Sequence, residues 1–479
     1  MIFNSLEYAL FLPVVFFLYW FVFDKWMSKT KHQLRWQNAF ILVASYVFYG
    51  WWSWKFLILI AFTSLCSYLS GRQMATGRWR KTALWGNIIV NLAVLGLFKY
   101  YDFFATELAG LMGVQGDAFM LHLVLPVGIS FYTFQALSYS IDVYKGKIEP
   151  TKDIIAFFTY IAFFPQLVAG PIERATNLLP QFQKKRVFDY DTAVDGARQI
   201  LWGLFMKMVV ADNCAGYVDR IFSQGGTGSE HLIAAVFFTF QIYGDFAGYS
   251  NIAIGTAKLF GISLRQNFRT PYFSRDIAEF WRRWHISLTT WFRDYLYIPL
   301  GGSRVGKWKV VRNTFIIFLV SGLWHGANWT FIAWGFYHAC LFLPLILLGK
   351  NRKYTDTVAV GRVLPTAKEL GQMTLTFMLA VVGWIIFRAT GIPSTVGYFK
   401  NILTIETLTG IYKIFTRWEM LPIGIMIVVE WFQRNKEHGL QHWEKVFRSR
   451  WLRYFLYAFF FVSVIFFRGG YQEFIYFQF

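Results

Sequence analysis

Two histidines, forty residues apart, are the residues here best suited to chemistry. His325 stands in "SGLWHGANW", Ser321 to Trp329, between apolar runs long enough to lie in a membrane, and His285 stands in "FWRRWHISLTTWF". A neutral imidazole suits general-base work on a hydroxyl or thiol, an effect worth about 10² to 10⁴ in rate. The depth of His325 follows from its flanks. Arg312 and Lys350 are both basic, so the stretch between them reads as a hairpin that leaves and re-enters on the cytoplasmic side. Asn313 to Leu323 is about eleven residues, roughly 16 Å of helix, against a hydrocarbon core of about 30 Å. An ionisable group near mid-depth is a functional candidate by default. A hydrogen-bonded core histidine tying two helices together is the competing reading. Gly322 and Gly326 would allow close backbone approach. Asn328 could donate to a developing oxyanion or to the imidazole, or cap the second arm of the hairpin.

Trp281, Trp284, His285, Leu288 and Phe292 recur at helical spacing, which predicts one apolar stripe on a helix lying in the interface plane. Around it, Arg265 to Arg312 holds basic residues at 265, 269, 275, 282, 283, 293, 304, 307, 309 and 312, against acids at 276, 279 and 294. Such a funnel, with Arg282 and Arg283 beside the histidine, attracts a phosphate-rich ligand; anionic lipid is the plainer partner. In the preceding span Gln241, Asp245 and Tyr249 are four apart and share one helical face. A carboxylate there needs a partner: an arginine of the funnel, an imidazole to orient, or a proton. The structural role is favoured. Trp324, next to His325, completes the supporting set.

The elements that must position these residues are membrane helices. The chain has 479 residues, 56% hydrophobic and 21% aromatic, with mean hydropathy +0.39, and its apolar runs recur throughout, the profile of a polytopic membrane protein. The net charge of +20 then reflects Lys and Arg in cytoplasmic loops rather than nucleic-acid binding. The first run, "LEYALFLPVVFFLYWFVF", is a retained span. Basic loops at Lys25–Arg35 and Arg72–Lys81 alternate with "ATELAGLMGVQGDAF" and "SQGGTGSEHL", which have no Lys or Arg. That alternation places the N-terminus outside, and the C-terminus is expected outside as well. Residues 153–186 break the pattern: Pro165, Gly170 and Pro171 interrupt them and a full crossing would export Arg174, Lys184, Lys185 and Arg186, so a re-entrant element is predicted. The expected fold is an all-α polytopic transmembrane bundle of about ten to twelve spans, with re-entrant and interfacial helices, around a central funnel. Cys66, Cys214 and Cys340 lack metal or disulfide spacing, and no metal site is expected. There is no GxGxxG, P-loop, nucleophile elbow or HExxH. Acyl transfer is the simplest chemistry that uses what remains.

"EFWRRWHISLTTWFRDYLYIPLGGSR", followed by "SGLWHGANWTFIAWGFYHA", resembles the paired signature of the membrane-bound O-acyltransferase family, in its bacterial, alginate O-acetylating branch. "FFPQLVAGPIER", "QIYGDFAGYSNIAIG" and "FIYFQF" are similar to further elements of that branch. The resemblance runs from the first span to the last residue, so one domain is expected over 1–479, with its signature core at about 241–340. It implies a bundle pierced by a funnel, an acyl donor entering from the cytoplasm and an acceptor from the opposite face. Carried over, His325 matches the catalytic histidine and His285 the second signature histidine. D-alanyl transfer and peptidoglycan O-acetylation proteins share the signature, although "YIPLGG" and "HGANW" lean toward the alginate and peptidoglycan type. The expected activity moves acetyl from cytoplasmic acetyl-CoA, a substrate rather than a resident cofactor, to a hydroxyl on an exopolysaccharide or on an extracytoplasmic partner protein, at the inner membrane. A proton-coupled transporter using Asp245 and His325 is the alternative from a different class, and a non-catalytic scaffold a third.

Overall fold

A computed structural model describes residues 1–27, 30, 32–114, 119–168, 170–470 and 472–475. Lys29, Lys31 and the end of "FIYFQF", residues 476–479, lie outside the described residues. The described chain is all-α, without a strand. Among the described residues five helices are long and apolar enough to cross a membrane: Leu6–Phe23, Arg80–Lys99, Gly228–Leu259, Trp329–Leu347 and Ala367–Arg388. Gln33–Ser53 and Lys55–Ala75, each 21 residues, match them in length but carry more polar residues. The chain is a multi-pass membrane protein. Its residues sort into two compact units, 1–197 with 253–265, and 198–252 with 266–479.

In the first unit the opening helix shows how lipid and protein faces separate. Leu6, Leu10, Val14, Phe17 and Phe21 are exposed and share one helical face, while buried Tyr8 bonds Thr256 through its hydroxyl at 2.6 Å and Trp20 donates to the Leu259 carbonyl. Polar groups here tie helices together inside an apolar medium. Helices Gln33–Ser53 and Lys55–Ala75 meet at Trp54, within "GWWSW". Residues 153–186 do not form one crossing helix. They fold as Ile154–Ala162, Phe164–Leu167 and Ala175–Phe182, none longer than nine residues, about half of what a hydrocarbon core requires. The groups freed at the break are satisfied by side chains: Phe164 N–H donates to Ser45 Oγ and Gln166 Nε2 to the Tyr160 carbonyl. Arg186 is buried and donates to Asn38 Oδ1 at 2.7 Å. Broken backbone enclosed by protein is the arrangement a re-entrant element needs.

The second unit holds both histidines. Lys307–His325 and Trp329–Leu347 form the expected hairpin, and two glycines bring its arms together. A Cβ at Gly322 would run into the Phe331 carbonyl, and one at Gly335 into the Phe318 carbonyl; close helix contact in a membrane is made by such small residues. Gly203 and Gly248 do the same between Tyr190–Leu204 and Gly228–Leu259, each meeting the other's carbonyl.

Candidate functional site

His325 is the last residue of its helix and is buried. Its ring packs edge-on against Trp324, Trp334 and Phe387, with centroids 5.0, 5.1 and 5.3 Å away. The Trp324 ring also lies 6.0 Å from that of His285, so one indole bridges the two imidazoles.

His285 is not on a continuous helix, which corrects the interfacial helix expected there. The chain forms Ile277–Arg283, breaks, and resumes as Ile286–Phe292, with His285 in the left-handed region at φ 43°. A non-glycine residue held there costs energy that the surroundings must supply. They do so through residues 267–269: Ile286 N–H donates to the Asn267 carbonyl at 2.8 Å and Arg269 N–H to that of Arg283 at 3.0 Å. The Asn267 side chain then fixes the imidazole. Its Oδ1 accepts from His285 Nδ1 at 3.0 Å and Ser287 Oγ at 2.8 Å, while its Nδ2 donates to Ser250 Oγ. With Nδ1 as the donor, the lone pair of the neutral ring resides on Nε2.

The stripe survives the break. Trp281, Trp284, His285, Leu288 and Phe292 all line one small chamber of about 60 Å³, together with Ser321 and His325. A wider cavity of about 620 Å³ shares Trp281, Thr289, Ile317 and Phe318 with it and adds Arg282, Arg293 and Arg352. The two volumes share those walls, the larger lined also by cations and the smaller by both histidines. Arg282 is held in place by the carbonyls of Asn351 and Tyr354.

The supporting residues are redistributed. Arg283 does not line either cavity; it pairs with Glu279 at 2.9 Å. Arg275 joins the same network through Glu279 at 3.0 Å and Asp356 at 2.9 Å, and its hydrogen bond holds the Asp356 carboxyl below the usual carboxylate range. Asn328 is a helix cap: its Oδ1 accepts from Thr330 N–H and its Nδ2 donates to the Thr390 carbonyl, so the amide is engaged at both ends, away from the imidazole. Asp245 pairs with neither an arginine nor a histidine. Its partners are Lys207 at 2.6 Å and the Ile475 N–H at 2.7 Å, and Lys207 also meets Asp212 at 2.8 Å and lies over the Tyr249 ring. The Gly203–Gly248 approach is what brings this buried lysine to Asp245. Gln241 and Tyr249 stay on that helix face, and neither lines the histidine chamber. Lys207 was visible as a cation inside "LWGLFMKMVVAD"; Asn267 and Arg352 carried no local signal.

The family model described as MBOAT, membrane-bound O-acyltransferase family, matches residues 8–368. The chain belongs to the membrane-bound O-acyltransferase family. This acyltransferase is 41% identical over 397 residues, 81% of its own length and 72% of the relative's, to a "Probable alginate O-acetylase AlgI" of Pseudomonas aeruginosa. It is 34% identical over 424 residues, 82% and 78% of the two chains, to a peptidoglycan O-acetyltransferase of Helicobacter pylori. A teichoic acid D-alanyltransferase of Bacillus subtilis is 27% identical over 343 residues, 67% and 81% of the two chains. The transporter reading gives way to an enzyme. Its proposed relay is also dismantled, because Asp245 is committed to Lys207.

Proposed function

We propose that this acyltransferase moves acetyl from acetyl-CoA to a hydroxyl outside the cytoplasm, on an exopolysaccharide or on a serine of a partner protein. The observation that carries the reading is a shared wall: a cavity lined by Arg282, Arg293 and Arg352 adjoins a chamber lined by His285 and His325, and together they are read as a funnel. Cations at the wide end suit the phosphates of a CoA-type donor, and the narrow end receives its thioester. His325, as general base, takes the acceptor's hydroxyl proton while the oxygen attacks the thioester carbonyl. The tetrahedral intermediate collapses, the C–S bond breaks, and the imidazolium returns its proton to the leaving thiolate. His285, its Nδ1–H fixed on Asn267, orients the donor or passes a proton through Nε2. Alginate and peptidoglycan names among the relatives support acetyl as the group and a surface polymer as the destination. The same reading puts the chain in the inner membrane with both termini outside.

His325→Ala tests it. Acetyl-CoA thiol release and polymer acetylation, measured at matched membrane levels of protein, should fall about 10² to 10⁴-fold. Retained activity ends the assignment of His325 as base.

A further inference from the structure

A second cavity in the histidine-bearing unit has a different chemistry. It measures about 230 Å³, and its lining includes Phe240, Tyr243, Tyr272, Phe377 and Glu430. Among the described residues Glu430 is the only charged side chain in that lining. It comes from the otherwise uncharged helix Met420–Phe432, "MLPIGIMIVVEWF", and is 9% exposed. The Tyr243 hydroxyl donates to its Oε1 at 2.7 Å. No basic side chain pairs with it among the described residues. A carboxylate taken out of water without a cation is expensive to keep.

The walls around it have the form that answers that cost. The Tyr272 ring lies 5.1 Å from Tyr243, 5.8 Å from Phe240 and 5.3 Å from Phe377, all edge to face, and Phe240 lies 5.6 Å from Phe377. All four rings line the cavity beside the carboxylate, and aromatic rings attract cations through their π faces. We propose that this cavity binds an alkylammonium group, with Glu430 as counter-ion and Phe240, Tyr243, Tyr272 and Phe377 as its cage. The volume equals about eight water-sized spaces, enough for a headgroup such as ethanolamine or choline. A lipid tail would leave the carboxylate buried against hydrocarbon. Trp284, a wall of the histidine chamber, stands 6.0 Å from both Tyr243 and Tyr272, so the ligand sits one ring away from that chamber. None of this depends on acyl transfer.

The test is binding to the full-length purified chain. Ethanolamine, choline and the neutral choline isostere 3,3-dimethylbutanol are titrated calorimetrically in detergent, and again in nanodiscs with or without phosphatidylethanolamine. One of the two ammonium ligands should bind saturably and at least tenfold more tightly than the neutral alcohol. Glu430→Gln, which keeps an acceptor for Tyr243, should lose at least tenfold in affinity, and Phe377→Leu should weaken binding while leaving the carboxylate in place. Phosphatidylethanolamine nanodiscs that block the titration identify a lipid headgroup as the ligand; an undiminished titration there identifies a free amine. Equal binding of the neutral alcohol, unchanged affinity in Glu430→Gln, or no saturable binding of either ammonium in lipid-free detergent overturns the proposal.

Discussion

Replacing Asn267 with leucine should lower turnover while leaving the fold intact, because that amide is what aims His285. Asn267 Oδ1 accepts from His285 Nδ1 at 3.0 Å and from Ser287 Oγ at 2.8 Å, all three residues being buried. A buried donor left without its acceptor costs about 1–3 kcal/mol, so a rigid site would lose about 2–6 kcal/mol for the pair. The serine hydroxyl can turn to another acceptor, and the adjoining chamber of about 60 Å³ admits about two waters. The residual cost at His285 is then about 2 kcal/mol, which as lost orientation is about 30-fold in rate. Thiol release from acetyl-CoA in nanodiscs measures it. Asn267→Asp retains the acceptor for His285 Nδ1 but loses the donor to Ser250 Oγ and buries a carboxylate, so it should unfold at a lower temperature than the parent while losing less turnover than the leucine variant. Two results refute the reasoning: Asn267→Leu turning over within twofold of the parent at matched folded protein, or Asn267→Asp falling as far as the leucine variant.

Other outcomes follow from the same contacts. Lys207→Met strands Asp212 and Asp245 in the interior and should destabilise the chain by about 3–5 kcal/mol, with Lys207→Met/Asp245→Asn recovering part of the loss; thermal unfolding followed by size-exclusion chromatography reads both. Arg293→Ala and Arg352→Ala, at the wide end of the funnel, should raise the KM for acetyl-CoA several-fold with kcat unchanged. That difference should shrink as salt is added, and a change in kcat instead would place these arginines in the chemistry. Because Arg275 depresses the Asp356 carboxyl, their tie is complete above the ordinary carboxylate range and is lost as pH falls through the lowered value. Amide exchange across residues 350–356 should quicken over that interval, and Asp356→Asn should remove the pH dependence.

What could be read from the sequence depended on whether the cause was local. The hairpin around His325 was legible because Arg312, Lys350 and the glycines mark its ends and its seam, and the interrupted stretch 153–186 because its prolines and exported charges conflict with a crossing. The break at His285 was not. Trp281, Trp284, Leu288 and Phe292 keep helical spacing straight through it, and the reversal is imposed by Asn267 and Arg269, whose backbone bonds leave no periodicity. Arg282 and Arg283 are neighbours with the same charge, yet of the two it is Arg282 that lines the cation-bearing cavity beside the histidines; Glu279, four residues before Arg283, claims the other guanidinium. The helix following Asn328 announced its cap. The lysine partner of Asp245 sits 38 residues earlier in the chain, and only the Gly203–Gly248 approach in three dimensions pairs them.

The narrow end of the funnel is also a gauge. At about 60 Å³, walled by Trp281, Trp284, Phe292 and Phe318, it has room on the proposed reading for a two-carbon group, and a longer chain would displace packed rings at a cost of about 1–3 kcal/mol. On that reading the discrimination works by exclusion and asks nothing extra of the contacts proposed between donor and arginines. Shortening Phe292 to alanine should therefore admit propionyl and butyryl thioesters that the parent refuses. Equal turnover of all three donors by the parent would show that the rings do not set chain length.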